Sequence, residues 1–394
     1  MIKKILFVHS EYDMYGSSVS LLNLCLNLSE KKYKPYVVLP REGTFKEVLE
    51  KNKIPVFIVK MGVIRRSKGL KNLIRYFKNT FLSTILIAAL IKKFEIDIVH
   101  TNTMLVHAGG LAGRLTGRKV IWHIRELIDE PYVVVGMIFW CIKLLSDEVI
   151  CISRAVKRNL VNFTGDSSAY KVIYNGVNLE QYNLKNFDKK TVNAARQALG
   201  FSKDDFIVGM VGRFAFWKGH DVFIHAGVKL LKQFNNVKFL IAGELDRSIN
   251  REYHNGNINF LKKNNVVDDF VFTGFVRDME KIYSVMDIVV VPSRRPEPFG
   301  LVAIEALAMG KPVIATNHGG TAEIISGTGL GVLVPPDDHD LLVRSITFFY
   351  DHRDIIKKIN KKAPEYIEQH FFVKNYSKNV EKVYNKSYFL VSAL

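Results

Sequence analysis

Short apolar runs rich in valine and isoleucine alternate with helix-length segments from one end of the chain to the other. Strands that are apolar at nearly every position are typical of parallel sheets with helices on both faces. The pattern therefore predicts an α/β fold built on parallel sheets. The runs, in chain order, are KILFVHS, YVVLP, VFIVK, DIVHTN, KVIWHI, EVICIS, KVIY, FIVGMVG, KFLIAG, FVFTGF, IVVVPS, PVIATN and GVLVP.

The series of apolar runs is interrupted once, in the middle of the chain. After 175-NGVNLEQYN-183 a polar stretch precedes the next apolar strand, which begins at Phe206. A chain of 394 residues suggests about two domains of roughly 100–200 residues each. We therefore predict two doubly wound units, over residues 1–185 and 186–365, and a terminal amphipathic helix within 366–394 that packs back on the first unit.

Positive charge is concentrated in the first half of the chain. The net charge is +18, and residues 1–185 carry +13 of it, with 28 Lys and Arg against 15 Asp and Glu. Residues 51–94 contain eleven Lys and Arg and no acid. This segment is a candidate surface for anionic lipid, nucleic acid or a phosphorylated substrate. Nucleic acid is the least favoured, because the segment belongs to no recognised nucleic-acid-binding module.

Cysteine count and apolar segments bear on the compartment. Cys25, Cys141 and Cys151 form no CxxC and leave one thiol unpaired under any pairing, which fits reduced thiols in the cytosol. The apolar run in MIKKILFVHS is too short for a signal peptide and is interpreted as a first buried strand. The apolar segments 81–91 and 131–145 are shorter than the roughly 18–20 residues of a bilayer span. We expect both to be buried helices, with an interfacial position as the alternative.

A basic loop follows the apolar run FIVGMV. In 212-GRFAFWKGH-220, Arg213 and Lys218 precede a helix whose N-terminal amides favour an anion. Arg213 can contact a phosphate group as a planar fork, and Lys218 can contact it as a mobile point charge. The alternative is a solvated loop with an ordinary basic flank, because the chain contains no complete P-loop motif.

Two glutamates, Glu297 and Glu305, lie on either side of a turn in 294-RRPEPFGLVAIEALAMGKP-312. Prolines keep Glu297 out of a helix, whereas Glu305 lies inside a helix that begins near Gly300. The two carboxyl groups of a glycosidase lie about 5–9 Å apart, but eight residues of helix rise about 12 Å. That separation instead fits the two ends of a nucleoside diphosphate sugar. Neither glutamate is expected to form a buried ion pair.

Two segments near the N-terminus hold weaker candidates. Gly16, in 9-HSEYDMYGSSVSLLNL-24, precedes a helix, so backbone amides there can approach a phosphate. His123, in 120-VIWHIRELIDE-130, comes at the end of a strand, where a polar group can face a ligand, although a lone histidine is more often structural. His100 is a similar case. The sequence has no HExxH, no Cys/His ligand spacing and no serine elbow, so we predict no metal site.

Together these motifs resemble the family 4 glycosyltransferases, which are retaining enzymes of the GT-B fold. The resemblance is dense over about 140–340, where CISRAVK, IYNGVN, GRFAFWKG, IAGE, FTGFV, VPSRRPEPFGLVAIEALAMGKPVIAT, HGGTAEII and GVLVPPDD follow in the family's order. It implies two Rossmann-like doubly wound domains that face a central cleft. The first domain would bind the acceptor, and the second would bind the nucleotide-sugar donor.

The resemblance also implies a role for each matched residue. Glu297 would contact hydroxyls of the donor sugar, and Glu305 would hold the ribose. Arg213 and Lys218 would bind the diphosphate, and with Glu297 and His123 they form the predicted catalytic set. The implied donor-binding residues are Gly16, Arg213, Lys218, Gly274, Phe275, Val276, Glu297, Phe299, Gly300, Leu301 and Glu305.

Two features depart from the family pattern. Many members have two adjacent glycines in the first loop, where this chain has Gly16 beside Ser17. Arg294 and Arg295 add unusual positive charge next to the predicted donor site, and an acceptor phosphate is a candidate partner for them.

These observations predict a metal-independent, retaining glycosyltransferase. It would need no cofactor beyond its co-substrate, a nucleotide-diphosphate sugar of which the UDP type is favoured. A glycan or lipid-linked acceptor is expected, in cell-surface polysaccharide or lipopolysaccharide biosynthesis. The chain would be cytoplasmic and peripheral on the cytosolic face of the membrane, held there by residues 51–94. The alternatives are a nucleotide-sugar epimerase or hydrolase on the same fold, and a non-catalytic glycan-binding subunit.

Overall fold

The computed structural model describes residues 2–64, 70–128, 130–166, 168–245 and 251–386. The chain forms two compact units: Met1–Gly176 with Val373–Leu394, here called the N-terminal unit, and Val177–Phe372, here called the C-terminal unit. These boundaries differ from the predicted ones at 185 and 365. The polar stretch after residue 183, where the sequence predicts the division between the units, contains helix Lys189–Ala198, which packs within the C-terminal unit.

A parallel sheet of seven strands forms the centre of the N-terminal unit. The strands are β1 (Lys3–Val8), β2 (Tyr33–Leu39), β3 (Val56–Ile58), β4 (Ile98–Thr101), β5 (Lys119–Ile124), β6 (Glu148–Cys151) and β7 (Tyr170–Val172). Their order is β3-β2-β1-β4-β5-β6-β7. Residues 5–8 of the central strand β1 have no exposed surface, which explains why this run is apolar at every position.

Helices cover both faces of this sheet. They are α1 (Gly16–Asn27), α2 (Thr44–Lys51), α3 (Leu70–Lys93), α4 (Ala108–Leu115), α5 (Tyr132–Leu145) and α6 (Arg154–Thr164). From β1 the chain moves towards β3, and from β3 onwards it moves the other way, towards β7. Because such crossovers are right-handed, α1 and α2 lie on one face, and α3, α4 and α5 lie on the other.

The C-terminal unit has a parallel sheet of six strands. They are β8 (Phe206–Val211), β9 (Val237–Ala242), β10 (Phe270–Gly274), β11 (Ile288–Val291), β12 (Val313–Thr316) and β13 (Gly331–Val334), in the order β10-β9-β8-β11-β12-β13. Its helices are α7 (Lys189–Ala198), α8 (His220–Leu231), α9 (Arg251–Lys263), α10 (Met279–Val285), α11 (Leu301–Ala308), α12 (Gly319–Ile325), α13 (His339–Asp351) and α14 (Arg353–Phe371). The strand order reverses between β8 and β11, and ligands of such sheets bind at that switch point, beyond the carboxyl ends of the strands.

The last helix, α15 (Val373–Asn385), belongs to the N-terminal unit. It packs against α1, and Val380 and Tyr384 join the buried cluster that contains Phe7 and Leu24. The first residues of the predicted tail, 366–372, belong instead to the C-terminal unit, and residues 387–394 lie outside the described part of the chain.

The two apolar segments are less buried than predicted. Segment 81–91 is part of α3, and Phe81, Leu82, Ile85 and Leu86 are between 46% and 66% exposed. Within the described ranges one helix, at Lys71–Lys93, is long and apolar enough to cross a membrane. Segment 131–145 corresponds to α5, which buries one side and exposes the other. The prediction of two buried helices is therefore wrong in both cases, because the packing of α3 and α5 on the sheet covers only part of each.

Candidate active site

The loop after β8 and the loop after β11 meet at the switch point of the C-terminal unit. Gly219 has φ 76°, and a Cβ atom at this position would lie 2.1 Å from the carbonyl oxygen of Pro292. Only glycine permits both this conformation and this close approach. The backbone contact brings the basic segment Arg213–Lys218 beside the residues that follow β11.

Lys218 and Glu297 form an ion pair at this position. The Lys218 Nζ donates to Glu297 Oε1 over 2.6 Å, and the Ser293 hydroxyl donates to the same oxygen over 2.6 Å. Burial by itself would raise the pKa of Glu297, but the Lys218 ammonium and the Ser293 hydroxyl outweigh burial and hold the pKa below its ordinary value. Glu297 is 9% exposed and carries its charge at neutral pH. The expectation that neither glutamate forms a buried ion pair is therefore wrong for Glu297.

Glu305 lies in a different environment, one turn along α11. The Tyr283 hydroxyl donates to its Oε2 over 2.8 Å, and the Tyr182 hydroxyl donates to the same carboxylate. Burial raises the pKa of Glu305 to about 7, although these two hydrogen bonds oppose the rise. Glu305 therefore titrates near neutral pH, whereas Glu297 does not.

The turn between the two glutamates is held by the β12–α12 connection. Gly320 N–H donates to the Glu297 carbonyl over 2.7 Å, and the Thr321 hydroxyl donates to the Phe299 carbonyl over 3.3 Å. A Cβ atom at Gly319 would lie 2.4 Å from the Glu297 carbonyl oxygen. Gly300, with φ 115°, is the N-cap of α11, and the helix begins at the next residue, Leu301. The first amides of α11 therefore point to the switch point with Glu297 beside them.

The remaining predicted residues of the C-terminal unit lie along the same edge of the sheet. Arg213 lies two residues after the end of β8 and has an exposed side chain. Gly274, Phe275 and Val276 lie at the end of β10, the edge strand, with Phe275 62% exposed. The Gly274 carbonyl accepts from the amide of Gly243, which follows the neighbouring strand β9.

Arg294 has a structural role. Its Nη2 donates to Asp221 Oδ2 over 2.7 Å and its Nε donates to Asp337 Oδ1 over 2.6 Å, while the guanidinium lies 4.3 Å from the ring centroid of Phe216. The Arg294 guanidinium, a candidate partner for an acceptor phosphate, is thus already paired with two carboxylates. Arg295 has an exposed side chain.

In the N-terminal unit, Gly16 is the exposed first residue of α1. His123 is the fifth residue of β5 and has no exposed surface. Its Nδ1 lies 3.2 Å from His100 Nε2, and its own Nε2 has no partner among the described residues. Burial first, and the charge of Arg125 second, hold the pKa of His123 well below its ordinary value. His123 is therefore a neutral, enclosed side chain.

Arg125, which follows β5, lies close to His123 in the sequence but is not one of the predicted site residues. It is 6% exposed and donates to four neutral acceptors. These are Asn102 Oδ1 at 2.8 Å, Ser20 Oγ at 2.9 Å, Asn175 Oδ1 at 2.8 Å and Tyr376 Oη at 2.9 Å. Its position directly after a strand was a usable signal, but its four partners are distant in the sequence.

Other residues around Glu297 and Glu305 also escaped the sequence reasoning. Ser293 could have been found from its position directly after a buried strand. Tyr182 and Tyr283 carried no such signal, because tyrosines at these positions are equally compatible with a core. Within the described part of the chain, no three His, Cys, Asp or Glu side chains are grouped in a way that could hold a metal ion.

Two family descriptions together match most of the chain. Residues 14–181 match Glycosyltransferase Family 4, and residues 191–366 match Glycosyl transferases group 1. The chain belongs to the family 4 glycosyltransferases. The predicted family is confirmed, and the two matched segments correspond closely to the two units of the structure.

Individual members of the family match the chain to different extents. An uncharacterized glycosyltransferase of Methanocaldococcus jannaschii is 34% identical over 198 residues, which are 50% of this chain and 48% of that relative. The chain therefore matches about half the length of this relative. The capsular polysaccharide biosynthesis glycosyltransferase CapM of Staphylococcus aureus is 27% identical over 288 residues, 70% of this chain and 73% of CapM.

Solved structures share the fold of this chain. The crystal structure of Anabaena HepE in complex with UDP and glucose has a TM-score of 0.82 with this chain, at 23% identity, and covers 98% of this chain and 100% of its own. At this identity the likeness shows the fold alone. The fold is GT-B, with two parallel-sheet α/β domains, as predicted.

Proposed function

We propose that this chain is a retaining glycosyltransferase that moves a sugar from a nucleotide-diphosphate sugar to a glycan or lipid-linked acceptor. The UDP type of donor is favoured, and the reaction is metal-independent. Cell-surface polysaccharide or lipopolysaccharide biosynthesis is the proposed setting, and the capsular role in the name of CapM supports it. HepE, with the same fold, was crystallised with UDP and glucose, which supports the donor class.

The observation that carries the proposal is the Lys218–Glu297 ion pair beside the first amides of α11. A diphosphate placed over these amides would meet a cation that is already held in position by a carboxylate. Lys218 and Arg213 would stabilise the negative charge that develops on the leaving diphosphate, a task that a metal ion performs in other transferases. Positive charge from side chains is the reason for proposing metal independence.

The two glutamates would define the ends of the donor. Glu297 has one carboxylate oxygen bonded to Lys218 and Ser293, which leaves acceptor capacity on the other oxygen for sugar hydroxyls. Glu305, between Tyr182 and Tyr283, would accept from the ribose hydroxyls. Gly274, Phe275 and Val276 would lie along the base, and Phe299, Gly300 and Leu301 would face the diphosphate.

The acceptor is proposed to bind to the N-terminal unit. Gly16, exposed at the start of α1, would approach the donor through its backbone amide. His123 remains a catalytic proposal. Its free Nε2 is the atom that a substrate hydroxyl would need to reach, and reaching it requires a movement of its surroundings because the side chain is fully buried.

A donor screen followed by a transfer assay tests the function. UDP sugars and other nucleotide sugars are screened for an increase in melting temperature, which donor binding produces by mass action. The stabilising donor is then incubated with glycan and lipid-linked acceptors, and the anomeric configuration of the product is read by NMR. Transfer with retained configuration, unchanged by EDTA, is the expected result.

The alternatives give different results in the same assay. Donor consumed with no acceptor glycosylated indicates an epimerase or hydrolase. Donor bound but never consumed indicates a non-catalytic subunit, and inversion of the anomeric centre contradicts the retaining mechanism.

A cytoplasmic location, peripheral on the cytosolic face of a membrane, completes the proposal. The described cations of the 51–94 segment include Lys71, Arg75 and Lys78 on α3, all exposed, while Arg65, Arg66 and Lys68 lie outside the described residues. Clustered cations without acids attract anionic lipid at about 1 kcal/mol per residue. Comparing binding to anionic and to neutral vesicles at low salt tests this attachment, and equal binding to both would contradict it.

A further inference from the structure

Helix α3 has its polar and apolar faces reversed relative to an ordinary surface helix. Thr80, Ser83 and Thr84, on the side that faces the protein, are no more than 7% exposed. The large apolar side chains of the outer side are between 46% and 66% exposed: Leu73, Ile74, Phe77, Phe81, Leu82, Ile85 and Leu86. An ordinary surface helix buries its apolar stripe and exposes its polar one, so the outer side of α3 is built for an apolar partner.

The buried hydroxyls explain how the reversed helix packs on the sheet. Ser83 Oγ donates to the Asn79 carbonyl over 2.6 Å and Thr84 Oγ1 donates to the Thr80 carbonyl over 2.8 Å. Because the Ser83 and Thr84 hydroxyls are satisfied within their own helix, these two side chains can face the protein at little cost. Ile87 and Ile91, near the C-terminal end, join the buried cluster with Leu6 and Val99 and fix the helix to the sheet.

Helix α5 exposes a second apolar surface on the same face of the sheet. Tyr132, Val133, Met137, Trp140 and Leu144 are between 48% and 74% exposed. Both helices pack against α4, which lies between them.

The intervening helix α4 lies close to the sheet. A Cβ atom at Gly110 would lie 2.3 Å from the Trp122 ring, and one at Gly113 would lie 2.5 Å from Val120. The glycines therefore keep α4 near the strands, with the longer α3 and α5 on either side of it. Large exposed apolar patches mark sites of protein or membrane interaction, so apolar side chains exposed on two helices of one face indicate a partner.

Charge identifies the partner. The described cations of α3 lie at its two ends, with Lys71, Arg75 and Lys78 before the apolar centre and Lys92 and Lys93 after it, and segment 51–94 has no acid. A second copy of this face would bring these cations against one another with no carboxylate from the segment to compensate. An anionic lipid surface offers phosphates to the cations and acyl chains to the apolar centre.

The fold also decides between lying on a membrane and crossing it. Helix α3 connects β3 and β4, two strands of one sheet, and its inner side packs on that sheet. A helix with one side fixed to a compact unit can lie along a membrane surface, but it cannot be surrounded by lipid.

We propose that the exposed sides of α3 and α5 form a two-helix docking surface that inserts apolar side chains among the acyl chains of an anionic membrane, with the α3 cations at the headgroups. The inference deepens, and to that extent rests on, the membrane attachment in the proposed function. It adds a hydrophobic component and a second helix to what the charge of 51–94 alone predicts, and it does not depend on sugar transfer.

Flotation of the full chain with vesicles tests the docking surface. The probes are phosphatidylcholine vesicles with and without phosphatidylglycerol, at about 0.1 M and about 1 M salt, where the Debye lengths are about 10 Å and about 3 Å. The wild-type chain should bind the anionic vesicles and keep part of this binding at high salt. Phe81→Ser and Met137→Ser should each weaken binding about tenfold, as expected for the loss of one large inserted side chain. Leu26→Ser, at a 47% exposed site on α1 on the opposite face, is the matched control and should bind like wild type.

Trp140 supplies a direct readout of insertion. It is 48% exposed, so vesicle binding should shift its emission to the blue and make it quenchable by brominated lipids, and Trp140→Phe should abolish both signals. Binding that vanishes at high salt and is unchanged in Phe81→Ser and Met137→Ser would show attachment by charge alone and overturn the proposal. A dimer in light scattering that Phe81→Ser converts to a monomer, or no vesicle binding at all, would also overturn it.

The outcome can be separated from that of the transferase. All variants are compared by thermal melting, and because the substituted side chains are exposed, their melting temperatures should equal that of wild type. If vesicle binding behaves as expected while no nucleotide sugar is consumed, the proposed transferase fails and the docking surface stands. If transfer to a soluble acceptor proceeds without any vesicle binding, the docking surface fails and the proposed transferase stands.

Discussion

Both units reverse their strand order beside the first strand, β1 next to β4 and β8 next to β11, but they place different chemistry at that point. In the C-terminal unit, Lys218 and Glu297 form an ion pair next to the exposed Arg213. In the N-terminal unit the cation near that point, Arg125, is buried, and its guanidinium donates to four neutral acceptors. One architecture can therefore use a cation after a strand either to meet a ligand or to join parts of the fold.

The N-terminal unit differs again on its outer face. Its helices α3 and α5 expose apolar side chains, whereas the described large apolar side chains exposed in the C-terminal unit are scattered at Phe216, Phe275 and Phe348. The units thus divide the work by surface. One has charged groups that we propose bind a polar ligand, and the other has an exposed apolar face that we propose binds lipid.

The largest effect is expected from Glu297→Gln, which tests whether the Lys218–Glu297 ion pair takes part in catalysis. The substitution keeps the shape but removes the charge that holds Lys218 and that, in the proposed site, accepts from the sugar hydroxyls. Loss of interactions made in the transition state should lower kcat/KM for transfer by about a thousandfold. Glu368→Gln, an exposed position in α14, is the control and should keep wild-type activity. Activity within a fewfold of wild type in Glu297→Gln would remove Glu297 from the catalytic set.

Arg125→Met tests whether the buried cation of the N-terminal unit is structural. Four acceptors from α1, α15 and two loops would lose their donor, and the free energy of unfolding should fall by about 3 kcal/mol. Chemical denaturation measures this change, and Arg158→Met, exposed on α6, should leave stability nearly unchanged. Donor affinity of the folded Arg125→Met chain should match wild type. A selective loss of donor binding would contradict the view that Arg125, unlike Lys218, has a structural role only.

Glu305 gives the C-terminal site a pH dependence near neutrality. Its pKa of about 7 means that it is mostly protonated at pH 6 and mostly ionised at pH 8. In the proposed site the ionised form accepts from the ribose hydroxyls more strongly than the protonated form. Donor affinity should therefore rise about tenfold with pH across this interval. Tyr283→Phe removes a hydrogen bond that lowers the pKa and should shift the midpoint upward, and Glu305→Gln should flatten the profile. Isothermal titration at several pH values measures all three.

The same titration has a consequence for stability, with the opposite sign. The folded pKa lies above the ordinary value of 4.5, so between about pH 4.5 and pH 7 the folded state binds more protons than the unfolded one. Stability should fall as pH rises through this window. Glu305→Gln should remove that part of the pH dependence, and an unchanged slope in Glu305→Gln would show that other groups cause it.

The smallest effect is expected from Arg294→Gln. Its pairs with Asp221 and Asp337 are partly exposed, so the loss of stability should be about 1 kcal/mol. The KM for the acceptor should be unchanged, because the Arg294 guanidinium is already paired with two carboxylates. A large rise in acceptor KM would restore the phosphate role that was considered from the sequence.

Much of the fold was predictable because its signal is local. Each of the apolar runs became a strand, since burial on both faces requires apolar residues at successive positions. The placement of Lys218 and Glu297 on one edge was also predictable, because carboxyl ends of parallel strands share an edge. Their contact was not, because the two residues are 79 positions apart and meet only through the packing of Gly219 on Pro292.

The sequence by itself determined the two parallel sheets and the family, and it supplied the candidate donor-site residues, because apolar periodicity and strand-end motifs lie in short segments. Only the tertiary structure decided which charges are paired and which apolar surfaces stay exposed. Arg294 and Arg125 are both cations that follow strands, yet the fold encloses each among partners distant in the sequence. Likewise, 81–91 has the composition of a core helix, and only its packing on the sheet through Ile87 and Ile91 shows that the rest of its apolar side chains face outward.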